Sequence, residues 1–366
     1  MRFDLSDEQS DLERHARDFF GEARDADLEA VLGSKPVADP GIWGQLAGEL
    51  GLAGIAVAED DGGAGGNLVD LAVVLDAAGY ALSTQPLLAS AGCAVAALQA
   101  GRGDRAKAWL GDLATGALVG TWANPGDLAE PVIAERMEDG WRLRGRVTQV
   151  VCPDRADLFL VVAQTGGEEQ VFGVRRTAPG LHMGQESALD PTRPLATISL
   201  DGAEATPAHA EVDAAALSRA RSVAVVLLAA ELAGVARGAF DVAVAYARDR
   251  EQFGRAIGSF QAVKHLLADM FVDVETARDV ARYGVWSLDA DADAPEELAA
   301  MTHAHVSACS IRVTASMLQV LGGIGYTWEH PAHLYYKRAL SSARLFTTVD
   351  RELDRLAARV GLGEAP

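Results

Sequence analysis

The apolar residues of this 366-residue chain change their period twice, and that double change limits the folds open to it. From residue 1 to about 116 they recur at helical spacing, as in Leu12, His15, Ala16 and Phe19 or along Leu68 to Leu82. From about Leu118 to Val212 they come in short β-rich runs separated by Gly, Pro and Asp. These runs are Leu118–Ala123, Trp141–Val147, Leu158–Ala163, Gln170–Val174 and Ala196–Leu200. Near Pro207 an alanine-rich helical pattern resumes and continues almost to the end. The expectation is an α+β multidomain protein: an N-terminal helical domain over 1–116, a small central β-barrel or sandwich over 117–212, and a C-terminal four-helix bundle over 213–366.

Local signals set the expected ends of the elements. Ser6 with Gln9 three residues later reads as a capping box opening the first helix. A short helix over Trp43–Leu50 should stop at Gly51. The glycine-dense tract from Gly54 to Gly66 lacks the lysine and long preceding strand of a phosphate loop, so it reads as a structural turn. In the last region, helices are expected over about Asp213–Arg248, Phe260–Leu288, Pro295–Gly322 and Pro331–Val360, the last broken near Thr347. Apolar faces this wide on helices this long pack as a bundle and favour oligomers.

Charge and cysteine content narrow the function. A formal net charge of −20 argues against nucleic acid and against an anionic membrane surface. Any anionic ligand would need local arginines, because the global field repels it. Cys93, Cys152 and Cys309 show no Cys-x-x-Cys spacing, which disfavours a disulfide framework or a zinc ribbon. The first residues lack an apolar signal region, and the run Val223–Ala236 is broken by Glu231 and shorter than a membrane span. The reading is a cytoplasmic protein.

One stretch carries groups suited to a nucleotide. In Tyr246–Met270, Arg250, Gln252, Gln261 and His265 lie close together, and Gly254 allows a sharp turn. A permanent cation beside an amide suits a phosphodiester and the polar edges of a base. The whole segment, Tyr-x-x-x-Arg-x-Gln-Phe-Gly-x-x-Ile-x-x-Phe-Gln-x-x-x-His-x-Leu-Ala-Asp-Met, resembles a signature of the acyl-CoA dehydrogenase family of flavoenzymes. A second segment, Gln319-Val-Leu-Gly-Gly-Ile-Gly-Tyr-Thr-Trp-Glu329, resembles that family's other hallmark, in the right order and at a fitting distance. The resemblance covers essentially the whole chain, as does the helical, strand-rich, helical order.

The resemblance implies an FAD-dependent oxidoreductase of lipid metabolism. It would introduce an α,β double bond into an acyl-CoA thioester and pass electrons to electron-transfer flavoprotein. By position, Arg250 and Gln252 would hold the FAD pyrophosphate and adenosine, with Phe253 packing nearby. Gln319, Gly322 and Gly323 would meet the adenosine end from a neighbouring subunit. The segment Thr121–Pro125 stands where the family has a Thr-Glu-Pro stretch, and Gln149 and Val151 stand where it places a Trp and a Thr over the flavin.

The family's carboxylate base is missing from both of its usual positions, which are Phe346 and Ala224 here. Glu231 is the remaining candidate, on the same helical face as Ala224 but about 10 Å further along. Glu329 reads as a turn residue and Asp350 as the cap of a last helical segment starting near Arg351. His303, His305, His330 and His333 do not read as a metal site: neighbours two apart on a helix point in different directions, and Pro331 interrupts any zincin-like pattern.

Some heteromeric members of the family pair a base-bearing chain with a shorter chain that lacks it. The missing acid places this chain in that second role, as part of a homo- or hetero-oligomer whose partner is acyl-CoA dehydrogenase-like. The alternative from another class is a catalytically silent structural subunit that binds no flavin. Relatives acting as oxidases or monooxygenases form a third reading that no residue favours.

Overall fold

The structure, a computed structural model, describes residues 4–33, 39–123, 131–291 and 294–362. Asn124 and Pro125 of the Thr121–Pro125 segment lie outside the described residues.

The N-terminal region is helical, with α1 (Asp7–Leu32), α2 (Pro40–Gly44), α3 (Leu68–Tyr80), α4 (Val95–Gln99) and α5 (Asp104–Ala114). The capping box is formed: Ser6 Oγ accepts from the Gln9 N–H at 3.1 Å, and Gln9 Oε1 accepts from the Ser6 N–H at 3.2 Å. Asn67 and Asp70 make the equivalent pair at the start of α3. The expected helix over Trp43–Leu50 is α2 running into a π-helical turn, Gln45–Glu49, and Gly51 after it has φ +67°. In the glycine tract, a Cβ at Gly63 would fall 2.1 Å from the Val57 carbonyl oxygen. That tract is glycine-rich because the backbone folds on itself.

The central strands are β1 (Gly101–Arg102), β2 (Gly120–Trp122), β3 (Ile133–Met137), β4 (Gly140–Val151), β5 (Leu158–Thr165), β6 (Glu168–Arg175), β7 (Leu181–Gln185), β8 (Leu195–Pro207) and β9 (Glu211–Val212). The order β5-β3-β4-β8-β6 closes on itself because β6 also pairs with β5, making a small barrel filled by Leu143, Phe159, Phe172 and Ile198. β2 adds in parallel to β5, and β7 adds antiparallel to β8. Sequence periodicity misses β3 and β7 for a physical reason. Each turns most of its residues to solvent, so neither needs alternating apolar side chains. The β1–β9 pair ties the N-terminal region to the segment entering the bundle.

The bundle consists of α6 (Ala214–Asp249), α7 (Gln261–Asp289), α8 (Pro295–Leu321), α9 (Ala332–Ser342) and α10 (Val349–Arg359). A hairpin of β10 (Glu251–Gln252) and β11 (Arg255–Ala256) links α6 to α7. By length and apolarity α6 could cross a membrane, but 89% of its most apolar window is buried within the fold, which accounts for that apolarity. The cap of α10 is Thr348, whose Oγ1 accepts from the Arg351 N–H; Asp350, expected in that role, lies in the first helical turn instead.

Two contacts orient the bundle. Ser218 Oγ bonds Glu296 Oε1, and Ser310 Oγ donates to the Leu232 carbonyl at 3.0 Å, both across 78 residues of sequence. A constant offset means that α6 and α8 run parallel, so their C-terminal ends meet at one end of the bundle. α6 also packs backbone-to-backbone on α3: a Cβ at Gly79 would fall 2.0 Å from the Glu231 carbonyl oxygen, and one at Gly234 would fall 1.9 Å from that of Asp76. One continuous apolar core joins the three regions through Leu88, Trp122, Val151, Leu227 and Phe346.

Candidate flavin and acyl-CoA site

Both recognition segments lie at the end of the bundle where α6 and α8 finish. The last turn of α6 closes with the Arg250 N–H on the Tyr246 carbonyl at 2.9 Å, and the Arg250 carbonyl accepts from the Ile257 N–H at 2.8 Å. Between them the chain reverses through Phe253 (φ +53°) and Gly254 (φ +75°), flanked by the β10–β11 pairs. Positive φ at both central residues is the two-residue hairpin turn whose twist matches its strands. Glycine takes that conformation freely; phenylalanine is strained in it. Phe253 is also 93% exposed, so neither its conformation nor its burial within this chain favours the ring. Arg250 and Gln252 are likewise exposed.

The second segment has the same character. Gln319 is exposed on the last turn of α8, and Gly322 ends that helix at φ +62° and ψ −139°, a region open in practice to glycine alone. Cβ atoms at Gly322 and Gly323 would meet nothing of this chain within 4 Å. Backbone conformation accounts for Gly322, while no crowding within this chain accounts for Gly323. Beyond the pair, Tyr326 and Trp328 are 71% and 51% exposed. Trp328 donates from Nε1 to the Leu32 carbonyl at 3.1 Å, which anchors the loop on the end of α1.

Ala224 and Phe346, at the two usual base positions, have 0% and 1% exposure and belong to the shared apolar core. A π-helical turn, Leu88–Ala94, is wholly buried against it, and burial pushes the Cys152 thiol there up to about 12. Thr121 Oγ1 donates to the Val151 carbonyl at 2.8 Å in the same interior. Gln149 is held at φ +57° with its N–H on Glu186 Oε1, and its own side-chain Oε1 is buried without a partner among the described residues.

Glu231 is committed elsewhere. One carboxylate oxygen pairs with Arg193 and the other accepts from Arg338 Nη1 at 2.7 Å. Arg338 also donates from Nε to Asp190 Oδ2 at 2.6 Å, and Arg193 donates to Ser342 Oγ at 2.8 Å. All four charges are buried. Burial works against the Arg338 charge, but Asp190 and Glu231 beside it outweigh that and raise its pKa. Both carboxylate oxygens are engaged in charge-assisted bonds to guanidiniums. The geometry thus makes Glu231 a tie between α6, α9 and the loop before β8 rather than a base. Asp190, Arg193 and Arg338 belong to no sequence motif, so nothing along the chain marks them.

His305, His330 and His333 make local contacts. His303 is fully buried, whereas His305 is exposed with Nε2 3.5 Å from Cys309 Sγ. His330 Nδ1 accepts from the Ala332 N–H at 3.1 Å, and the His333 ring stacks on Trp328 at 5.0 Å. Among the described residues no group of three His, Cys, Asp or Glu side chains has metal-binding geometry.

Comparison with known proteins agrees with this architecture. Residues 6–117 match the family model for the acyl-CoA dehydrogenase N-terminal domain, and residues 216–360 match that for the C-terminal domain. The chain is 36% identical over 357 residues to the acyl-CoA dehydrogenase IpdE2 of Mycolicibacterium smegmatis, covering 95% of each protein. Among solved structures it superposes on the Tcur3481–Tcur3483 steroid acyl-CoA dehydrogenase G363A variant with a TM-score of 0.87, at 29% identity over 97% of this chain and 98% of that one. It superposes on the ChsE4–ChsE5 complex of Mycobacterium tuberculosis with a TM-score of 0.89, at 27% identity over 100% of both chains. With both terminal domains matched and a relative this similar along nearly its whole length, the chain belongs to the acyl-CoA dehydrogenase family.

Proposed function

We propose that this chain is one subunit of an FAD-dependent acyl-CoA dehydrogenase whose catalytic base comes from a partner chain. The observation that carries the reading is a division within the molecule. Both base positions, Ala224 and Phe346, are sealed in apolar core, while Arg250, Gln252, Phe253, Gln319, Gly322 and Gly323 all face outward at one end of the bundle. A chain acting alone would need an acid where this one has methyl and phenyl groups. A chain completing a shared site needs only its outward groups.

The exposed groups fit a dinucleotide. In a site shared between subunits, Arg250 would neutralise the pyrophosphate and Gln252 would bond a polar edge of the adenosine, while Gln319 and the glycine pair would meet the adenosine end of a dinucleotide held by the neighbouring subunit. Bound there, FAD would accept the β-hydrogen of the acyl-CoA as hydride while the partner's carboxylate takes the α-proton. Two similar structures support a mixed assembly, since Tcur3481–Tcur3483 and ChsE4–ChsE5 are each named as a pair of chains. The first of them is a steroid acyl-CoA dehydrogenase, which makes a steroid-derived acyl-CoA the first substrate to try. Electron-transfer flavoprotein is the acceptor the family implies.

Co-expression with an acid-bearing homologue should give a yellow mixed oligomer that oxidises acyl-CoA. The Arg250→Ala variant should assemble normally yet hold flavin about ten- to a hundredfold more weakly, the loss expected for one charge-assisted phosphate contact. A yellow, active oligomer formed by this chain alone would overturn the mixed-oligomer reading. A second reading, a structural subunit that holds no flavin, draws on the burial of Thr121 and Val151 at ring-contact positions. It predicts that Arg250→Ala leaves the visible spectrum of the complex unchanged.

A further inference from the structure

Away from the recognition segments, α1, α3, α6 and α7 line a small, partly open cavity whose free volume of ≈ 30 Å³ suits one or two waters or one small ion. Ala72, Ala233 and Val285 form apolar wall, and the polar part is Glu13, Asp76, Arg278 and Arg282. Arg17 joins them from α1, donating to Asp76 Oδ1 at 3.0 Å. Three guanidiniums therefore face two carboxylates in a chain whose overall charge is −20. One acceptor, Glu13 Oε1, is shared by all three. Glu13 Oε1 takes Arg278 at 2.6 Å and lies 3.5 Å from Arg17, which leaves Arg282 only a 3.9 Å approach to the same oxygen. Among the described residues Arg282 makes no hydrogen bond, and Arg278 Nε is buried without a partner. Asp279 is exposed on α7 and lies beyond ion-pair distance of Arg282.

We infer that this cavity binds a single small monovalent anion, a halide or a one- or two-carbon carboxylate, held by Arg278 and Arg282 and bridging the N-terminal helices to the bundle. A guanidinium presents five donors in a plane, and those of Arg282, on a side chain 26% exposed, meet no protein acceptor within hydrogen-bond distance. Burial, followed by the neighbouring Arg278, lowers the pKa of Arg282 against the opposing pull of Glu13, Asp76 and Asp279. The apolar wall suits a weakly hydrated anion better than sulfate or phosphate, and the small volume excludes larger acids.

Thermal unfolding of the full chain, in the oligomer it forms, tests this at constant ionic strength with sodium gluconate, chloride, bromide, formate or acetate. Gluconate is too large to enter. Chloride, bromide or the small carboxylates should raise Tm above the gluconate value by about 2 °C or more, saturably. Whichever anion gives the larger shift identifies the ligand as halide or carboxylate. Arg282→Met should abolish the difference. Ala72→Val, which fills the cavity without altering charge, should do the same and carries the test if the arginine variant does not fold. Equal Tm in gluconate and in every small anion would overturn the inference. So would a shift of unchanged size in Arg282→Met or Ala72→Val.

Discussion

Buried polar side chains answer to pairing, and two of them here lead to opposite expectations. Glu231 sits between Arg193 and Arg338, so Glu231→Ala would strand two buried guanidiniums and should cost roughly 3–5 kcal/mol in chemical denaturation. Glu231→Gln keeps the shape and some bonds and should cost less, with flavin retention by the complex unchanged in both variants. His303 is the reverse case, because burial pushes it down to about 4 from an ordinary 6.5. Between those two values the unfolded chain binds the proton and the folded chain does not. Stability should therefore rise with pH across that window and be free of this dependence above it. The contribution is about 3 kcal/mol at most, and His303→Leu should flatten that part of the stability profile relative to the parent chain.

At the scale of elements, glycine has two distinct uses that mutation can separate. Gly79 and Gly234 let α3 and α6 touch backbone to backbone, with any Cβ placed about 2 Å from a carbonyl oxygen. Gly234→Ala should force the helices apart and lower stability by roughly 3 kcal/mol or more, readable as a fall in the urea midpoint. Gly323 lies where a Cβ meets nothing of this chain. Gly323→Val should leave the unfolding free energy of the isolated chain, from urea titration, within about 0.5 kcal/mol of the parent while lowering flavin content of the assembled complex. The hairpin makes the same point. Phe253→Gly should relieve about 1 kcal/mol of backbone strain and stabilise the chain, at the expense of whatever the exposed ring contacts in the assembly.

Across the whole molecule, the described apolar side chains pack inside while the two motif segments lie exposed at one end of the bundle. Replacing Phe346 by Glu puts an acid at a usual base position but buries it in apolar core, where its charged form is strongly disfavoured. That variant should be destabilised by several kcal/mol and should not oxidise acyl-CoA on its own, as a dye-reduction assay would show. Recovery of activity would mean that the interior opens enough to admit substrate, and the partner-supplied base would then be unnecessary.

Much of this organisation is legible along the chain, because helix ends and tight turns are settled within three or four residues. Ser6 with Gln9 caps α1, Gly51 ends the second helical stretch, and the bundle helices begin and end within a residue or two of their expected limits. The two segments that resemble the family's hallmarks are equally readable, since each is a continuous run of residues. Tertiary structure alone decided the rest. Glu231 meets Arg193 across 38 residues and Arg338 across 107, and no spacing rule announces such a pairing. The β3 and β7 strands exist because a barrel offers their backbones partners, although their side chains face water. That Ala224 and Phe346 are core rather than pocket wall likewise follows only from packing, because an apolar side chain can line a cavity or fill it, and the space left by distant neighbours decides which.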